Sequence, residues 1–359
     1  MRFFMETIIY SGTAFIDTFL ISIFTSLIIV VLHRFNELEN KCFKRGIQDI
    51  HLKAVPRIGG VAIYLSLILT SFYNISESKS FIQSLILYLF PVFIFGVLED
   101  FRFRVSPRNR LIMTFFSASL LTIFLDIRII ETGLYPFDIL LNFFPFAVFI
   151  SILSIASMSQ AMNIIDGLNG LSMGVGMIIL FTVGTICNIY NDYFLLEISN
   201  IFIFSILGVF ILNWPKSFLF VGDGGAYLIG ASIATVVIMM PERNASISSF
   251  SSLVLVFFPI YETLRSFFRR VINKDTKWSM ADNYHLHSKI YIFLNHKLKY
   301  RSELANSLAS LFLLIYVSLG CYLAYKYHSK VHYLIIVCVF LIIIYEAVSR
   351  MLRNSKVKN

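Results

Sequence analysis

Long apolar runs alternate with short polar stretches along the whole chain. Runs at about 15–32, 58–73, 81–98, 111–125, 145–162, 171–189, 194–212, 222–240, 250–268, 303–325 and 331–349 predict eleven helices. Near-uncharged runs of about 18 residues read as membrane-crossing segments rather than as core helices of a soluble protein. The pattern holds to the end of the chain, with no internal repeat, low-complexity tract or soluble stretch of domain size. The predicted fold is therefore all-α: a polytopic integral membrane helix bundle forming a single domain over residues 1–359.

Composition agrees. Of 359 residues 57% are hydrophobic and only 14% charged, and the mean hydropathy is +0.77. The cysteines Cys42, Cys187, Cys321 and Cys338 have neither metal-ligand spacing nor a disulfide framework. The first run lacks the basic flank and small-residue cleavage site of a signal peptide. A net charge of +9 would suggest nucleic acid in a soluble protein. Here it reads as topology and contact with anionic lipid, and no nucleic-acid partner is expected. With the N-terminus outside, 24 of the 30 Lys and Arg residues fall on the inner side, and six (Arg2, Lys79, Arg128, Arg243, Lys326, Lys330) on the outer. The positive-inside rule then puts the C-terminus in the cytoplasm. The inner segments include 33–57, 99–110, 163–170, 213–221 and 269–302.

Five polar patches fall at that inner face. In H-L-K-A-V-P-R-I-G-G (51–60), Lys53 and Arg57 flank a helix start that suits phosphate; the plainer reading is a positive-inside flank. In G-V-L-E-D-F-R (96–102), Glu99 and Asp100 end the third run. They suit a divalent cation or a proton as well as they suit neutralisation by the arginines that follow. In M-N-I-I-D-G-L-N-G-L-S (162–172), Asn163, Asp166 and Asn169 recur every three residues. On a helix that spacing shares one face, and an acid at the mouth of a membrane points to function. In F-L-F-V-G-D-G-G (218–225), Asp223 sits among glycines at the start of a helix, where a carboxylate and backbone N–H groups suit a metal–phosphate complex. In A-D-N-Y-H-L-H-S-K (281–289), His285 and His287 could donate to a phosphate or a sugar; the spacing is weak for zinc, and solvated loop histidines are the plainer reading.

In this order the patches resemble the polyprenyl-phosphate N-acetylhexosamine-1-phosphate transferase superfamily. N-x-x-D-G-x-N-G-L together with F-x-G-D-G-G carries most of the likeness, which spans Lys53 to Lys289. It looks closer to the enzymes that initiate surface polysaccharides than to the peptidoglycan enzyme. The resemblance implies transfer of a sugar-1-phosphate from a UDP-sugar to undecaprenyl phosphate, with release of UMP. It implies Mg²⁺, with Mn²⁺ able to substitute, and a multi-pass protein of the bacterial inner membrane with its site on the cytoplasmic face; a homodimer is left open. It makes Asp223 and Asn163 metal-binding positions and Asp100, Glu99 and Asp166 the catalytic acids. Lys53, Arg57, Asn163, Asn169, His285 and His287 become substrate contacts. The sequence departs from the family pattern at Glu99, Asn169, Gly225 and Ser288, where Asp, Asp, Ser and His are common. These positions touch metal charge and sugar choice.

Two other classes compete. A secondary transporter would place polar groups near the midplane; here the interior of nearly every span is apolar and the acids of the patches gather at inner ends, with Asp17, near the outer end of the first span, the exception. A non-catalytic scaffold would not need the Asn/Asp/Gly spacing. Peptidoglycan lipid-intermediate synthesis would use the same chemistry on another donor.

Overall fold

In the computed structural model residues 2–35, 55–73, 78–272 and 285–352 are described, with side chains from residue 14 onward except at Tyr73. Lys53 and most of the segment 33–57 lie outside them. Every regular element among the described residues is helical: α1 (Arg2–Phe35), α2 (Gly59–Tyr73), α3 (Lys79–Asp100), α4 (Pro107–Phe124), α5 (Tyr135–Leu141), α6 (Phe144–Ile165), α7 (Leu171–Ile189), α8 (Tyr193–Asn213), α9 (Gly222–Arg243), α10 (Ser249–Leu255), α11 (Phe257–Ile272), α12 (Leu286–Ile292), α13 (Ser302–Tyr327) and α14 (Val331–Met351). A π-helical turn, Phe293–Lys297, follows α12. Eight of these helices (α1, α3, α6, α7, α8, α9, α13 and α14) are long and apolar enough to cross a membrane. The chain is a polytopic membrane helix bundle.

Each predicted run is helical, but three differ from a plain span. The run 58–73 becomes α2, only 15 residues long. The run 111–125 becomes α4, which starts earlier, on Pro107 behind the Ser106 cap, and so takes Arg108 and Arg110 into its first turn. The run 250–268 is broken at Val256 into α10 and α11. Pro259 explains the break. In a continuous helix its ring would meet the carbonyl of Leu255 and its missing N–H would leave that carbonyl unbonded; at the third position of a new helix neither problem arises. Beyond the break α11 is amphipathic, with Glu262, Arg265 and Arg269 on one side and Leu264, Phe268 and Val271 on the other. Pro91 lies inside α3, and the N–H of the next residue, Val92, donates to Ser117 Oγ of α4 at 3.0 Å.

α9 is the central post, buried almost throughout. α1 and α14 lie outside and present large apolar side chains such as Phe24 (65% exposed) and Ile336 (64%). That is the arrangement expected when the surrounding solvent is lipid. At one end of α9 glycines let backbones touch. A Cβ on Gly60 of α2 would strike the Gly225 backbone, and one on Gly224 would come within 2.6 Å of Val97 of α3. The same contact is sewn by backbone bonds: the Gly59 and Gly60 N–H groups donate to Phe220 and Val221 (2.8 and 2.7 Å), and the Phe220 N–H to Pro56 (2.9 Å). At the opposite end Arg243 grips the buried Asp192 through Nε and Nη2 (2.9 and 3.0 Å), and Asn244 Nδ2 joins at 3.0 Å. Both ends of α9 are thus fixed, so the residues at its start are held rigidly.

Gly60→Ala is expected to force α2 from α9, at roughly 1–3 kcal/mol, the usual cost of overpacking. Gly320→Ala, whose Cβ would meet only the flexible Leu341 side chain at 3.3 Å, should be tolerated. Thermal unfolding in detergent compares the two; equal midpoints would contradict the packing account.

Candidate functional site

The site is built at the start of α9. Gly222 has φ +77°, and a Cβ there would overlap the Arg57 carbonyl and lie 2.5 Å from Asp100 Oδ2. Only glycine fits. The turn aims the Asp223 and Gly224 N–H groups at the last residue of α3, and they donate to Asp100 Oδ1 (2.9 Å) and Oδ2 (3.1 Å). Asp100 therefore caps α9, the arrangement a helix N-terminus favours for a carboxylate. This differs from the sequence expectation, in which those amides faced phosphate. The Gly59 and Gly60 amides are likewise spent, on protein carbonyls.

The Asp223 side chain is held by cations from two other elements. Arg110 Nη1 of α4 donates to Asp223 Oδ2, and Arg57 Nη2 approaches Oδ1 at 3.7 Å. Beside them Glu99 is half-buried, and its Oε2 has no hydrogen-bond partner among the described residues. Four arginines follow the acid pair, and sequence reasoning did not single out Arg110. A cation in the first turn of a helix opposes the helix dipole, so both Arg108 and Arg110 carried a signal.

The 162–172 stretch does not form one helical face. α6 stops at Ile165 and α7 begins after Gly170, which has φ +69°. Asn163 is on the last turn of α6, half-buried, its carbonyl accepting from the Asp166 N–H at 3.3 Å. Asp166 Oδ1 accepts from Ser172 Oγ. Burial pushes the Asp166 carboxyl up to about 6, against the pull of Ser172 and Arg57, while the nearby Asp223 charge adds to the rise. Asn169 is turned elsewhere: it is 2% exposed and its Nδ2 donates to the Pro215 carbonyl at 3.3 Å. The loop is carried by two asparagines that sequence reasoning missed. Asn306 Oδ1 of α13 accepts from the Asn169 N–H at 2.8 Å, and Asn213 of α8 accepts from the Gly170 N–H while donating to Leu219 at 2.7 Å.

The fifth patch closes over this loop. The His287 ring lies against Gly167, its Nε2 2.7 Å from where a Cβ would stand. Burial, with His285 adding to it, holds His287 down to about 4, so its ring is neutral. His285 stacks on it, centroids 5.2 Å apart and planes within 9°, and His285 Nδ1 pairs with Glu262 Oε1 at 2.8 Å. The structure thus brings together Arg57, Glu99, Asp100, Asp166, Asp223 and the histidine pair, and turns Asn169 into a strut.

Apolar helices with acids, arginines and histidines gathered at one end suit a membrane-embedded protein that handles a charged group. Residues 82–241 match glycosyl transferase family 4. A probable undecaprenyl-phosphate N-acetylglucosaminyl 1-phosphate transferase of Bacillus subtilis is 25% identical over 265 residues, 70% of each chain. An undecaprenyl-phosphate alpha-N-acetylglucosaminyl 1-phosphate transferase of Thermotoga maritima is 26% identical over 288 residues, 77% of this chain and 85% of that one. A phospho-N-acetylmuramoyl-pentapeptide-transferase of Prochlorococcus marinus is 26% identical over 274 residues, 69% and 74% of the two chains. The chain is thus similar to sugar-1-phosphate transferases over about two thirds to three quarters of its length, in keeping with the resemblance its motifs carry.

Asn213→Leu removes an acceptor from Gly170 and a donor from Leu219 in a buried place, at roughly 1–3 kcal/mol for each group left unpaired. The variant is expected to unfold earlier in detergent and to lose activity. A midpoint equal to the wild type's would show that the loop does not depend on this strut.

Proposed function

We propose that this chain transfers a sugar-1-phosphate, of the N-acetylhexosamine class, from a UDP-sugar to undecaprenyl phosphate, releasing UMP and beginning a cell-surface polysaccharide. The observation that carries the reading is the charge cluster at the start of α9, with Asp223 between Arg110 and Arg57 and its backbone held by Asp100. Relatives that carry this activity by name support it. We further propose eleven crossings with the N-terminus outside, a single domain, and a site on the cytoplasmic face of the bacterial inner membrane; the 24-to-6 charge split supports this orientation.

In the reaction an oxygen of the lipid phosphate bonds to the sugar-bearing phosphorus of the donor. The bond from that phosphorus to the bridging oxygen breaks, and UMP leaves with the electron pair. Phosphoryl transfer asks a protein chiefly for positioning and for compensation of charge. Arg57 supplies positive charge toward the diphosphate. Arg110 pairs with Asp223 and offsets part of the negative charge of the acid cluster. Asp100 has one lone pair left on each oxygen beyond its two bonds to α9, which suits holding or receiving a proton from the lipid phosphate. The neutral His287 and the stacked His285 close the side next to Asp166 and orient the nucleotide-sugar.

The residues also suit Mg²⁺. The donors are all oxygens, the set a hard cation prefers, and a buried carboxylate oxygen without a partner, Glu99 Oε2, is a group that asks for a cation. Asp223, Glu99 and Asn163 would hold it. When bound, the ion would neutralise diphosphate charge and polarise the transferred group.

The test is UMP release by purified protein with undecaprenyl phosphate, Mg²⁺ and a panel of UDP-sugars. UMP is expected only with lipid, metal and one donor together. Asp223→Asn and Asp100→Asn are expected to abolish turnover in protein that still unfolds cooperatively in detergent. His285→Ala should raise KM for the donor. Full turnover in the Asp223 variant would remove that residue from the chemistry. A UDP-N-acetylmuramoyl-pentapeptide as the one accepted donor would move the product to peptidoglycan.

A further inference from the structure

The strongest group left over is Glu262. It is a carboxylate 1% exposed, on a helix whose preceding residues are apolar. Burying such a group is costly unless it is hydrogen-bonded on several sides. Three donors meet it and none belongs to α11. The Leu286 N–H and His285 Nδ1 each lie 2.8 Å from Oε1, and the Tyr345 hydroxyl of α14 donates to Oε2 at 2.5 Å. The first of these bonds ties down the start of α12. The second makes Nδ1 the bound nitrogen of His285, so Nε2 is the atom through which that ring meets anything else. A carboxylate behind a histidine commonly fixes tautomer and orientation in this way. His285 in turn is stacked on His287, and His287 lies against Gly167 beside Asp166. A continuous line of contacts therefore runs from α14 through Glu262 and the two rings to the loop that carries Asp166. The same face of α14 holds the neighbouring side chains: Arg265 Nε bonds Glu346 Oε1 at 2.6 Å, and Lys289 Nζ bonds Ser349 Oγ at 2.7 Å.

Glu262, His285 and His287 each offer a ligand atom within 4.8 Å of the others, as a metal site would. The oxygens of Glu262 already accept three bonds, however, so an ion there would have to displace donors that hold α12 in place. We infer that Glu262, braced by Tyr345, is a positioning residue that presets the His285–His287 pair for the sugar-nucleotide, an inference that rests on the function proposed above. The carboxylate touches no reacting atom; it acts through His285.

A double-mutant cycle tests this. Glu262→Gln keeps the shape and removes the charge. It is expected to raise KM for the sugar-nucleotide about tenfold, the lower end for an outer-shell partner, with kcat within about threefold and a similar unfolding midpoint. The Glu262→Gln/His285→Ala double variant should have the KM of His285→Ala alone, because both changes remove one action. Tyr345→Phe, a milder change that keeps the packing, should raise KM in the same direction by a smaller factor. An unchanged KM in Glu262→Gln or Tyr345→Phe, or effects of Glu262 and His285 that multiply, would overturn the inference. So would stoichiometric zinc in purified protein that disappears in Glu262→Gln. If the wild type releases no UMP with any donor, it is the proposed function that fails; wild-type turnover with unaltered variants fails this inference alone.

Discussion

Everything at the polar end of the bundle depends on the two hydrogen bonds that Asp100 accepts from the Asp223 and Gly224 N–H groups. They join the last residue of one membrane helix to the first turn of another, in a place with little water to compete. Their geometry sets the terms for the neighbours. Gly222 has to be glycine because a Cβ would strike the acid and the Arg57 carbonyl. Gly224 has to be small because α3 passes directly against it. Asp223 is then placed where Arg110 and Arg57 can both reach it. The order of charge, acid on backbone amides and second acid between two guanidiniums, is what lets several carboxylates stay together at a membrane surface.

The rest of the site is held by polar groups that have no chemistry of their own. Buried Asn213 and Asn306 carry the 166–170 loop, Ser172 steadies Asp166, and Glu262 with Tyr345 carries the histidine pair. Each lies on a different helix, so the site samples the packing of most of the bundle. A reaction that depends on placing two phosphates in line gains from such rigidity, since small displacements of positioning groups are costly. The far end of α9 is fixed as firmly, by Arg243 and Asn244 on Asp192, which keeps the post from turning.

Much of this was legible in the residues. Apolar runs mark the helices because lipid tolerates little else, and the described residues of the patches lie near one another, in line with their placement on one face. The failures have specific causes. Pro259 breaks the ninth run through a clash that hydropathy does not register. The three-residue spacing of Asn163, Asp166 and Asn169 suggested a shared face, yet the helix ends between the first two, and Asn169 is turned into the core. Asp100 was read as a group facing substrate, while half of its work is capping α9; a carboxylate near a helix start 120 residues further on cannot be seen from spacing. Arg110 was lost among four arginines because direction along a loop is not written in composition. Glu262 is the miss with a remedy: an acid inside an apolar run is itself a signal, and here it marks the support of the histidines.

We propose that one end of α9 gathers a metal, a diphosphate and a nucleotide-sugar into a single site. The most direct measurement is a structure of the protein with a UDP-sugar and Mn²⁺, with the ion located by its anomalous signal. The account predicts one peak in contact with the Asp223 carboxylate and the diphosphate, and the sugar-nucleotide reaching His285. A peak instead among Glu262, His285 and His287, or a diphosphate bound away from Asp223, would contradict it.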